Sequence, residues 1–107
     1  MKKIIGILVF TNQGVLNHKL TDGKRSMNMF CFWEMKRFPK RLREEEYDEA
    51  RLYLAVGGQI KGYFEIDDID LNDDGGRLEF FSEDWHPIEN GKILKPSQGF
   101  RYYEVEE

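Results

Sequence analysis

Five of the eight residues at positions 36–43 are basic (Lys36, Arg37, Lys40, Arg41 and Arg43), and Phe30, Phe32, Trp33 and Phe38 stand beside or among them. Cations at this density attract phosphate through an interaction that salt weakens, and aromatic faces accept bases by stacking. The composition is therefore that of a site gripping a nucleotide or a single strand of RNA or DNA. It also fits a solvated loop whose charges pair with Glu44, Glu45 and Glu46 while the rings enter the core. Lys24 and Arg25 add two cations after Gly23, Asn28 offers an amide to a base edge, and Trp85 supplies an indole before Pro87. The expected ligand site is thus Lys24, Arg25, Asn28, Lys36, Arg37, Arg41 and Trp85, in a cleft between the turn near Gly23 and the basic loop. The cations would hold phosphates and Trp85 would stack, although the same indole also suits a plug at one end of the fold.

No complete catalytic motif accompanies these residues. Cys31, His18 and His86 are too scattered in sequence to show the hydrogen-bonded nucleophile and base that catalysis requires, and Cys31 reads as a small buried hydrophobe. Asp68, Asp70 and Asn72 followed by Glu79 imitate a calcium loop, but its sixth position, which needs glycine for a sharp turn, is Asp73. The stretch reads instead as an acidic loop in solvent, and neither a metal nor a cofactor is expected.

At 107 residues the chain fits one domain, residues 1–107, with enough apolar content for a single core. Its net charge of −4 argues against indiscriminate coating of polyanions. A lone cysteine precludes an internal disulfide and points to a reducing, cytoplasmic setting. The apolar run after Lys2 and Lys3 is short and interrupted by Gly6, so it reads as a buried first strand, and no membrane span is expected.

The elements that must position these groups are mostly strands. Residues 4–11 form an apolar, β-branched run suited to a central strand covered on both faces. Val15, Leu16 and Leu20 fit a short helix ending near Gly23 in a glycine cap. Residues 26–35 alternate, with Met27, Met29, Cys31, Trp33 and Met35 on one face of a strand. Residues 36–48 read as a loop containing at most a helical turn. Gly57 and Gly58 then join two alternating runs, residues 51–56 and 59–66, into a tight hairpin. An acidic loop at 67–76, a strand at 77–82, a loop and turn at 85–91 and a last strand at 100–105 complete a β-rich α+β domain. The expected form is a small, partly open barrel with one or two short helices.

Three segments carry a family resemblance: Asp22-Gly-Lys-Arg-Ser26, Ile60-Lys-Gly-Tyr-Phe-Glu-Ile66 and Pro96-Ser-Gln-Gly-Phe-Arg-Tyr-Tyr103. In this order the chain resembles the PUA-like superfamily and, within it, the ASCH-type domains, which implies a PUA-like barrel and RNA or modified bases as ligands. Against the ASCH-type pattern Gly-x-Lys-x-x-Glu-x-Arg, only Gly23 matches strictly; Arg25, Asn28 and Phe30 occupy the other three positions. Relatives that hydrolyse acylated cytidine imply a runner-up reading, a small hydrolase with Lys24 as reactive amine and Glu65 as acid or base. Arginine at the motif lysine cannot lose its proton to act as a base, so a binding module is favoured over an enzyme. The third reading is a protein-interaction domain without a ligand site.

Overall fold

The protein is described by a computed structural model covering residues 2–72 and 75–104. Its strands are β1 (Ile4–Thr11), β2 (Cys31–Met35), β3 (Glu49–Val56), β4 (Gln59–Glu65), β5 (Asp68–Asn72), β6 (Gly75–Phe80), β7 (Trp85–Pro87) and β8 (Phe100–Tyr103). Two helices join them, α1 (Gln13–Asp22) and α2 (Lys40–Glu44). Among the described residues the strands form a five-stranded sheet, ordered β7-β4-β3-β1-β8, and a three-stranded sheet, ordered β2-β6-β5. The expected barrel does not close, because no strand is shared between the two sheets.

Packing of one sheet on the other makes the main core. Ile5, Ile7, Val9, Leu52, Leu54 and Phe64 project from the large sheet toward Cys31, Met35, Leu78 and Phe80 of the small one. The opposite face of the large sheet buries Leu8, Tyr53, Ala55 and Ile60 against Ile88 and Leu94, so β1 is covered on both faces as its composition requires. β1 and β3 run parallel, with Leu8 opposite Tyr53, and the crossover between them carries α1, β2 and α2.

The glycine hairpin forms as the alternation demands, with Gly57 at φ 61° and Gly58 at φ 82°. One detail differs from strict alternation. A bulge between Leu54 and Ala55 sets Leu54 opposite Gly62 but Ala55 opposite Ile60, so Ile60 packs on the outer face, away from Phe64.

Four other expectations are corrected. The strand expected from residue 26 begins only at Cys31, because residues 25–27 make a 3-10 turn and Asn28 takes a left-handed φ of 53°. Met27 and Met29 therefore face solvent instead of joining the core. Helix α1 starts where Asn12 caps Val15 N–H at 2.9 Å, but Gly23 after it is extended, at φ −101°. Its lack of a side chain serves packing: a Cβ there would lie 2.9 Å from Cys31 Sγ. The acidic stretch is not a loop, since Asp68–Asn72 is strand β5, paired with β6; Asp73 and Asp74 lie outside the described residues. Finally, residues 85–87 pair with β4 as an edge strand.

Candidate functional site

After β2 the chain turns inward at Phe38 and Pro39, both buried, and Leu42 anchors α2 in the same core. These anchors leave Lys36 and Arg37 exposed on the rim and lay the basic segment along the edge strand β8. Arg37 stands 5.3 Å over the Phe100 ring and Arg41 stands 5.2 Å over Tyr102. The Arg41 backbone N–H also donates to the Tyr102 hydroxyl at 3.1 Å, clamping the first turn of α2 to the sheet.

Between the end of β1, the end of β2 and the start of β8 lies a cleft of about 510 Å³. Trp33 and Phe100 contribute rings to its lining, Val9 and Met35 contribute apolar surface, and Lys36, Arg37 and Gln98 contribute polar groups. Trp33 shares the inward side of β2 with Cys31 and Met35 and is partly buried against the core, which fixes its indole. A half-exposed cavity with two rings and two cations can hold a planar group and an attached anion.

The expected site residues do not all meet there. Lys36 and Arg37 line the cleft. Arg41 lies beside it, but its guanidinium is committed to Glu45 at 2.8 Å. That hydrogen bond raises the arginine pKa further, and together with Lys3 it holds the Glu45 carboxyl below its ordinary range. Lys24 and Asn28 sit before the opposite end of β2, where Lys24 C=O accepts from Met27 N–H at 3.1 Å and Met29 N–H at 3.0 Å. Arg25 belongs to the same 3-10 turn. Five strand residues separate this turn from Lys36, roughly 16 Å at the usual rise.

Trp85 lies on β7, the sheet edge opposite β8, with its ring centroid 4.7 Å from that of Phe64. A Cβ at Gly62 would fall 2.6 Å from Trp85 Cζ2, so glycine is what lets the indole lie against β4. Trp85 thus plugs the side of the core rather than walling the cleft. Glu65, the acid or base of the hydrolase reading, is on the outer face of the large sheet, 3.6 Å from His86 Nε2 and opposite Arg51. Lys24 belongs to the loop that leads into β2 of the small sheet, so the amine and the carboxylate of that reading are carried by elements of different sheets.

The calcium-like residues sit on paired strands. Asp68 is opposite Glu79 and Asp70 is opposite Arg77, whose Nη2 lies 2.7 Å from Asp70 Oδ2 and 3.6 Å from Glu79 Oε2. The guanidinium occupies the ground a cation would need. Glu79 is 8% exposed, and burial pushes its pKa up against the opposing pull of Arg77. Among the described residues no group of three or more acidic, histidine or cysteine side chains is arranged to hold a metal. No helix of the described residues is long and apolar enough to cross a membrane.

Sequence reasoning missed Phe100 and Gln98. Their signal was present in the run Gln98-Gly-Phe-Arg-Tyr-Tyr103, where rings and a cation alternate, but only the β8 pairing with β1 carries it to Trp33. Comparison of the chain with protein-family models, with curated proteins and with solved structures finds no match.

Proposed function

We propose that this domain binds a nucleotide, or one nucleotide of a single-stranded nucleic acid, in the cleft between β2 and β8. The observation that carries the reading is the shared lining of one 510 Å³ cavity by Trp33, Phe100, Lys36 and Arg37. Rings supply stacking and the two cations supply attraction for phosphate. The volume falls in the range of small-ligand pockets. With a net charge of −4, affinity has to come from this local patch rather than from a long-range field. The resemblance to PUA-like domains, with RNA and modified bases as their ligands, supports the same class of ligand.

Titration with a nucleoside monophosphate, its nucleoside and inorganic phosphate tests the reading through tryptophan fluorescence. The monophosphate is expected to bind best and to change the emission, and Trp33→Phe should remove most of that change while Trp85→Phe keeps it. Equal response to the nucleoside and the monophosphate would show that Lys36 and Arg37 hold no phosphate.

A protein-interaction module is the second reading, favoured by one observation. Met27, Met29, Phe30 and Phe32 are 63%, 50%, 46% and 40% exposed around the start of β2, more apolar exposure than scattered surface residues explain. Met27→Ser with Met29→Ser should leave nucleotide binding unchanged if the cleft is the site.

A further inference from the structure

The alternation of β8 gives it a second ring and a second cation on the side away from the cleft. Arg101 is opposite Leu8 and Tyr103 is opposite Gly6, on the outer face of the large sheet, whereas Phe100 faces the cleft. Residues 88–94 cross this outer face as a strap, held by Ile88 N–H to Lys61 C=O at 2.9 Å, Ile60 N–H to Lys92 C=O at 3.0 Å and Leu94 N–H to Gly58 C=O at 2.7 Å. Between strap and β8 a second cavity of about 450 Å³ opens, lined by Leu8, Lys92, Leu94, Arg101, Tyr103 and Glu104 among others.

The Tyr103 ring in this cavity has a rigid backing. Its centroid lies 4.5 Å from that of Tyr53, which lies 5.0 Å from Tyr63, which in turn stacks on His86 at 4.7 Å. Tyr53 is buried between its two tilted neighbours and Tyr63 is stacked on His86, so the partly buried Tyr103 is the member of the row that lines the cavity. Lys92 and Arg101, whose Nη2 donates to Lys95 C=O at 2.6 Å, supply positive charge beside it, and Leu8 and Leu94 supply an apolar floor. The chemistry repeats that of the cleft: ring, paired cations and apolar floor. Only the edge strand β8 separates the two, and Arg37 and Arg41 lie over its Phe100 and Tyr102 rings.

We infer that the two cavities hold different nucleotides of one single-stranded nucleic acid that passes over the edge of β8, so that the preferred ligand is an oligonucleotide and not a mononucleotide. This rests on the cleft reading proposed above. Two linked sites gain affinity through the effective concentration of the second nucleotide once the first is bound.

The test compares a mononucleotide, a dinucleotide and short single-stranded RNA and DNA oligomers, all at low salt, by calorimetry with the intact domain. Tyr103→Leu keeps the apolar contact with Tyr53 but removes the ring, Lys92→Ala removes an exposed cation, and circular dichroism melts confirm that both variants fold. The expected result is affinity that climbs with length, with Tyr103→Leu costing the oligomers roughly fivefold to a hundredfold and the mononucleotide nothing. Lys92→Ala should act in the same direction. Oligomers that bind no tighter than the mononucleotide, or that ignore both variants while Arg37→Ala weakens them, would overturn the two-cavity inference and leave the cleft reading standing. Ligands of every length that ignore Arg37→Ala, or bind nowhere, would overturn both.

Discussion

Replacing Gly58 by alanine should destabilise the domain clearly more than replacing its neighbour Gly57, although both occupy the same turn and both have positive φ. At φ 61° and 82° each substitution pays the left-handed penalty of a residue with a Cβ, about 1–2 kcal/mol. The environments then diverge. A Cβ on Gly57 meets nothing within 4 Å, whereas one on Gly58 lies 2.8 Å from Leu94 C=O, backbone of the strap. Relief of that contact requires the strap to move, which disturbs the Leu94 N–H to Gly58 C=O bond and its neighbour from Ile60 N–H to Lys92 C=O. At about 1 kcal/mol for each weakened bond, Gly58→Ala should cost roughly 3–4 kcal/mol in total. Urea unfolding reads the difference: with a slope of about 2 kcal/mol per molar, the Gly58→Ala midpoint should fall by about 1.5–2 M and the Gly57→Ala midpoint by about half that or less. Equal losses for the two variants would refute the argument from the strap. A neutral Gly58→Ala would also refute the turn conformation.

In a salt titration, Arg37→Ala should weaken binding of a single strand and reduce the slope of log affinity against log salt by roughly 0.7 for the lost phosphate contact. Arg41→Ala should change that slope less, since Glu45 already engages its guanidinium; equal slopes for the two variants would contradict the placement. Glu79 has a folded-state pKa raised above its unfolded value by burial, so its contribution to stability is fully present below the ordinary glutamate range and is lost as pH rises through the raised value. Thermal melts should therefore show Glu79→Gln more stable than the parent at pH 7 and without that advantage near pH 4; the opposite trend would mean that Arg77 outweighs burial. Millimolar calcium should leave the melting temperature unchanged because Arg77 sits between Asp70 and Glu79; an upward shift not produced by magnesium would place a calcium site at β5 and β6.

Local patterns were the legible part of this chain. The β3–β4 hairpin followed from two glycines between alternating runs, and the first strand from an apolar run whose two faces are both covered. The start of β2 is masked because alternation continues through Asn28, and asparagine tolerates positive φ but does not by itself demand it. In the acidic stretch charge outweighed the alternation of Ile69 and Leu71 with aspartates, and pairing with Arg77 across the strands was invisible. The cleft shows the same division. Lys36 and Arg37 stood out by composition, whereas Phe100 entered only through a strand pairing between distant parts of the chain. Lys24 and Asn28 looked close to the basic segment in sequence, but an extended strand converts few residues into a long separation.

The crossover between β1 and β3 has a consequence for the order of assembly. The β3–β4 hairpin needs only its own neighbours, but β1 must wait for β3, and then for β8, whose Arg101 pairs with Leu8 across most of the chain. Loop-closure entropy makes such distant pairings late events. Since the cleft takes one wall from β1, one from β2 and one from β8, it comes into being only with the last of these pairings. Ligand that occupies it would then act as a latch on the final step, holding the edge strand in place and slowing its release rather than speeding the earlier collapse.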